Sequence, residues 1–145
     1  MINSALNVAK YIINYCNTKE HPISNLKLQK ILYYIQGYSL ALRNQPAFNE
    51  DIQVWPYGPV VKPVYDTFSI YAAKSINNVD DVELNDNELQ AIIQIVADEK
   101  MYIPVWDLVE QTHEEAPWKY TKQVYGIGSI IPKDFIRDYF CQQVK

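Results

Sequence analysis

Ser24-Asn25-Leu26-Lys27-Leu28-Gln29-Lys30-Ile31-Leu32-Tyr33-Tyr34-Ile35 is the stretch that decides the fold class of this chain. Ser24 offers an N-cap oxygen, and Leu28, Leu32, Ile35 and Leu42 share one face, so the spacing predicts a long helix running to about Arg43. Upstream, Ala5, Val8, Ala9, Ile12 and Ile13 recur at i, i+3, i+4, i+7 and i+8. They predict a first helix with one buried stripe, ending before His21-Pro22. Downstream, Asn44 to Pro59 reads as irregular, with Ile52 and Val54 alternating as in a very short strand. Pro56, Pro59 and Pro63 fix φ and remove three backbone donors, which predicts a rigid, extended connector at Trp55-Pro56-Tyr57-Gly58-Pro59. Pro63 suits the first turn of a third helix, with Val64, Phe68, Tyr71 and Ala72 as its stripe.

Asn77 to Asp86 is polar and reads as a linker. Asn85 and Glu88 have capping-box spacing ahead of a fourth helix that buries Leu89, Ile92, Ile93 and Val96. Pro104 opens a fifth through Val105, Leu108 and Val109. Thr112 and Glu115 match another capping box, but Pro117 conflicts with it, so Thr112 to Pro117 reads as a turn with a short helical stretch after it. Gly126 and Gly128 mark a further turn, and Pro132 opens a last helix through Phe135, Ile136, Tyr139 and Phe140. The expected fold is mainly α: one compact domain over residues 1–145, a bundle of six or seven helices with room for one very short β pair.

Composition agrees with that architecture. In 145 residues, 48% are hydrophobic, 21% charged and 13% aromatic, enough for one core without metal or disulfide staples. No run of 18 or more apolar residues occurs, and no basic stretch feeds an apolar segment at the N-terminus. The expectation is a cytoplasmic chain with no membrane partner. Cys16 and Cys141 read as two buried thiols. The net charge of −4 is unevenly spread, with five bases against one acid up to Asn49, and eleven acids against Lys100 alone from Asp80 to Glu115. Without a basic cluster, direct nucleic-acid binding is not expected, because Lys and Arg neutralising phosphates supply most of that affinity.

The residues hold no catalytic kit. Cys16, His21, His113 and Cys141 lack the close pairing of zinc ligands, and in His113-Glu114-Glu115 the second histidine of H-E-x-x-H would fall at Pro117. Gly126-Ile127-Gly128-Ser129-Ile130-Ile131 would need glycine at 131 to cradle a dinucleotide, and no P-loop occurs. Cys16 continues the buried stripe of the first helix and so makes a poor partner for His113 in a nucleophilic dyad. Adjacent Glu114 and Glu115 diverge on regular structure and read as surface charge. Twelve Tyr and three Trp exceed what a core of this size needs, and such residues anchor recognition surfaces.

Leu26-Lys27-Leu28-Gln29-Lys30-Ile31-Leu32-Tyr33-Tyr34, then Trp55-Pro56-Tyr57-Gly58-Pro59-Val60-Val61 with Val64-Tyr65, then Leu108, Thr112-His113 and Pro117-Trp118, then Tyr139-Phe140, resemble the Panacea-domain antitoxins, the SocA-like or GepA-like phage-associated proteins. Val54 stands where alanine is usual before the tryptophan, and Ile31 where leucine is usual. The resemblance implies no enzymatic activity and no cofactor. It implies instead an antitoxin of a bacterial or prophage toxin–antitoxin pair, which binds a toxin encoded by a neighbouring gene and occludes its working surface over a standard interface of about 1,600 Å². The toxin contact is expected at Tyr33, Tyr34, Trp55 and Tyr57 and in the acidic segment at Asp80, Asp81 and Glu83. Gln29, Lys30, Tyr34, His113 and Trp118 are expected to form a buried polar network or a pocket. Two other readings stand beside this one: an adaptor that delivers a toxin to an AAA+ protease, and a small enzyme using His113 near Lys30 and Tyr34.

Overall fold

A computed structural model describes residues 2–144. Among them are seven α-helices: α1 (Ala5–Thr18), α2 (Asn25–Arg43), α3 (Lys62–Thr67), α4 (Asn87–Lys100), α5 (Val105–Glu114), α6 (Ala116–Tyr125) and α7 (Lys133–Gln143). Five short strands accompany them: β1 (Ile23–Ser24), β2 (Ile52–Trp55), β3 (Gly58–Val60), β4 (Ser75–Ile76) and β5 (Ile130–Ile131). The fold is mainly α, as expected, but its β part is two small antiparallel sheets, β1 with β4 and β3-β2-β5, where one pair was foreseen.

Helix α2 is the axis of the molecule, and α1, α4, α5, α7 and β3 pack around it. It starts on Ser24, whose hydroxyl accepts from the Lys27 amide, and stops at Asn44 in the left-handed region. Enclosure buries almost every side chain from Asn25 to Leu40, polar ones included. The stripe read from the sequence is therefore only part of its buried surface. Leu42, placed on that stripe, is 59% exposed, lining a surface hollow that it shares with Ile92, Ile95 and Val96 of α4 and with Val144. Helix α7 reaches α2 at Gly37, where the Phe140 ring occupies the space a β-carbon would need.

Helix α1 buries Ala5, Val8, Ala9, Ile12, Ile13 and Cys16, and α4 buries Leu89, Ile92, Ile93 and Val96, as their periodicity requires. Other boundaries move. Asp86, not Asn85, caps α4: its carboxylate accepts from the Leu89 amide and from Arg43 at 2.8 and 2.9 Å. The third helix ends at Thr67, and a 3₁₀ turn at Ser69–Tyr71 follows it. Helix α5 carries Thr112 inside it, so only Glu115 separates α5 from a full ten-residue α6 that tolerates Pro117 in its first turn. Cys16 is buried and Cys141 only partly so; both are free thiols.

Trp55-Pro56-Tyr57-Gly58-Pro59 is not an extended connector. Trp55 pairs with Gly58 and Val54 with Pro59, so the chain reverses through Pro56-Tyr57 alone. Gly58 makes this possible with a φ of 108°, which glycine adopts at little cost. Pro59 is tolerated because β3 is an edge strand that needs no second row of donors. The hairpin gains its third strand from the turn at Gly126 and Gly128, through which Ile130 and Ile131 reach β2.

Among the described residues no helix is long and apolar enough to cross a membrane. For the α2–α7 contact we expect Gly37→Ala to destabilise the fold by about 1–3 kcal/mol through overpacking, despite alanine's better helix propensity. Urea denaturation should show this, and Phe140→Leu in the same chain should recover part of the loss. A Gly37→Ala protein as stable as its parent would mean the Phe140 ring moves aside freely.

Candidate functional site

The hairpin tip stands between α2, α3 and the start of α5. Trp55 and Tyr57 project from it, Tyr65 from α3 and Trp106 from the first turn of α5. With Pro56 and the Ala72-Ala73 turn they wall an open groove of about 500 Å³. The groove lining carries no charged side chain. Trp106 meets Tyr57 edge-to-face at 5.1 Å, each 57% exposed, and Trp55 lies against Tyr65 at 4.9 Å. Such aromatic faces, apolar and stiff, make anchors for a partner at low entropic cost.

Three helices brace the hairpin from behind. From α2, the Lys30 amine donates to the Pro59 carbonyl at 2.8 Å. Gln29 accepts from the Val61 amide at 2.9 Å and donates to Asn25, which in turn donates to the Tyr65 carbonyl. From α6, the Trp118 indole donates to the Trp55 carbonyl at 3.0 Å. From α5, His113 stacks on Trp118 at 4.0 Å, while the Thr112 hydroxyl closes against Gly58. Any side chain at position 58 would strike Thr112 and Lys30.

Lys30 is fully buried and makes no ion pair among the described residues. Burial alone pushes its amine down to about 7, since the charged form loses its hydration there. Burial, with the charges of Lys30 and Lys122, likewise lowers His113, against the opposing pull of the neighbouring Pro56 backbone.

The structure thus brings Gln29, Lys30, His113 and Trp118 together, while Tyr34 lies apart with Tyr33. Both tyrosines, expected at the docking surface, are buried. Their hydroxyls donate at 2.9 Å to the two carboxylate oxygens of Glu115, and the Lys100 amine sits 4.2 Å from the Tyr34 ring centre. Burial raises Glu115 above the usual carboxylate range, against the three donors Tyr34, Tyr33 and Gln111. Glu115 is therefore an internal acceptor, not the surface charge its neighbour Glu114 is. Of the surface expectations, Trp55 and Tyr57 lie on the groove. Asp80, Asp81 and Glu83 are exposed on the stretch before α4, Asp80 pairing with Lys10 at 3.8 Å.

Trp106 was missed. Its signal was a tryptophan that falls off the Val105, Leu108, Val109 stripe and so has no core to enter. None of His113, Lys30 and Tyr34, the residues of the enzyme reading, lines the groove, and Lys30 and Tyr34 lie inside the core. Among the described residues no group of three or more His, Cys, Asp or Glu is placed to hold a metal ion.

Lys30 also sets a pH dependence. In the unfolded chain a lysine keeps its proton to about pH 10.4, whereas the folded amine releases it near pH 7. Between these values the unfolded state binds more protons, so this residue's contribution to stability rises with pH. Below about 7 the penalty of the buried charge is fully present. Lys30→Met keeps the stem and removes the amine. Its urea midpoint should exceed that of the parent at pH 6, with the advantage shrinking steadily toward pH 9. An advantage that does not change with pH would show that Lys30 does not titrate in this range.

No solved structure matches this chain significantly. Antitoxin SocA of Caulobacter vibrioides is 38% identical over 71 residues, which cover 49% of this chain and 38% of that relative, so the likeness is to less than half of its length. The family model described as antitoxin SocA-like, Panacea domain, matches residues 28–119. That span starts in α2, takes in the hairpin and its braces, and ends in α6; the chain belongs to the SocA-like antitoxins of the Panacea domain.

Proposed function

We propose that this chain neutralises a protein toxin by binding it directly, with the Trp55–Tyr57–Trp106 groove as part of the contact, and that it makes or breaks no covalent bond. The observation that carries this reading is the exposed Tyr57–Trp106 pair, held out of the core with Tyr57 on a hairpin braced by three helices and Trp106 on the first turn of α5. A large aromatic pair left in water on a rigid support is a cost to an isolated protein and an asset to a binding surface. Family membership supplies the class of partner: a toxin, taken here to be encoded beside this chain's own gene.

Co-expression tests this. The neighbouring gene's product should arrest growth alone, be tolerated with this chain, and co-purify with it. Tyr57→Ala should weaken the complex at least tenfold, the loss expected for truncating one aromatic anchor. A harmless neighbour, or a toxic one that neither binds nor is neutralised, overturns the reading. Toxin half-life separates two ways of acting: masking leaves it unchanged or longer, and delivery to an AAA+ protease shortens it.

A further inference from the structure

The acid surplus of this chain is mostly consumed locally. Asp80 pairs with Lys10, Asp98 with Lys19, Asp86 and Glu88 with Arg43, Glu99 with Lys100, and Asp51 with Lys133. Exposed Asp81 and Glu83 enter no ion pair among the described residues, but they do not line the apolar groove, whereas helix α5 starts at it. The exposed carboxylates of α5, Asp107, Glu110 and Glu114, likewise enter no ion pair among the described residues. At roughly 100° per residue, Trp106, Glu110, Glu114 and Asp107 fall within one arc of about 100°. The tryptophan that walls the apolar groove is thus the first residue of an acidic stripe running about 12 Å along the helix to Glu114.

Like charges at i, i+3 and i+4 oppose the helix that carries them. Asp107 is eased by its place in the first turn of α5, but no cation among the described residues pairs with any of the three, while the adjoining groove offers apolar walls and no charge of its own. The complement of such a surface is apolar at one end and cationic along the other.

We propose that the groove's occupant is an amphipathic segment of the toxin: one bulky apolar residue seated against Tyr57 and Trp106, with Lys or Arg about one and two helical turns away on Glu110, Asp107 and Glu114. This rests on the toxin-binding reading above and specifies its chemistry. It also moves the electrostatic contact from Asp80, Asp81 and Glu83 to α5. Attraction of this kind speeds encounter and fixes register, and salt weakens it.

Two probes test it. The first is a pair of fluorescein-labelled, end-blocked 14-residue helical peptides, identical but for Arg or Glu at positions four and eight after a single leucine, followed by polarisation. The Arg peptide should bind, more weakly as salt rises, and the Glu peptide should not. Glu110→Lys with Glu114→Lys should reverse that preference, and Trp106→Ala should weaken the Arg peptide at least tenfold, with circular dichroism confirming that each variant folds. Equal binding of both peptides, or of neither, overturns the proposal. The second probe is the neighbouring gene's product. If the Glu110→Lys, Glu114→Lys chain binds and neutralises it as the parent does, the α5 surface is wrong and the antitoxin reading stands. If the parent chain itself fails to bind it, the antitoxin reading falls, and the peptide pair still decides the surface.

Discussion

A helix enclosed on every side cannot leave a polar group unpaired, and α2 is enclosed while carrying Asn25, Lys27, Gln29, Lys30, Gln36 and Ser39 in its buried length. An unsatisfied buried donor or acceptor costs about 1–3 kcal/mol, so each of these side chains must find a partner, and on a helix the partners lie outside it. The result is a set of struts. Lys27 reaches the Met101 carbonyl beyond α4, Gln36 holds the Ala47 and Phe48 backbone, Ser39 the Gln45 carbonyl, and Gln29 and Lys30 the hairpin. Segments with too little apolar surface to pack for themselves are tied to the axis by its polar residues.

The hairpin is where this bears on the proposed binding. Three backbone carbonyls or amides of residues 55–61 are held by side chains of α2 and α6, and His113 of α5 stacks behind them on Trp118. Its turn is therefore fixed before any partner arrives. Preorganisation removes an ordering cost that a flexible loop with the same aromatics would bear on binding. It also explains a buried amine without a carboxylate. A charge pair under the hairpin would bring its own desolvation penalty, whereas a near-neutral lysine can donate to Pro59 in either protonation state.

The helices were legible because their apolar periodicity is a property of each segment alone. The stripes of α1 and α4 and the capping of α2 by Ser24 needed nothing but spacing. What spacing could not show was enclosure. The Leu28, Leu32, Ile35 stripe looked like one face of an ordinary amphipathic helix, although Lys30, Tyr33 and Gln36 between those leucines are equally buried. Tyr33 and Tyr34 were read as anchors because tyrosine tolerates water; their partner, Glu115, is about eighty residues away and was hidden behind its likeness to Glu114. The hairpin was missed because three prolines argue for extension, and Gly58, whose positive φ permits the turn at Pro56-Tyr57, is informative only with Thr112 and Lys30 beside it. The residues nominated for a polar network did converge on that hairpin, save Tyr34.

Charge taught the same lesson at the surface. A count from Asp80 to Glu115 gives one acidic block, but folding divides it into carboxylates with different tasks. Asp86 caps a helix and binds Arg43, which with the Leu89 amide outweighs desolvation and holds it below the usual carboxylate range. Glu115 goes inward to two phenols, and Asp80 ties the loop before α4 to α1. Each of these carboxylates already has a partner whose loss a newcomer would have to offset. Asp81, Glu83, Asp107, Glu110 and Glu114 have none, and the last three stand on the helix that carries the only exposed tryptophan among the described residues. Electrostatic attraction to a partner is strongest where it does not compete with an internal pair, so the local pairing of a carboxylate, and not the formal charge of its segment, decides what it can offer.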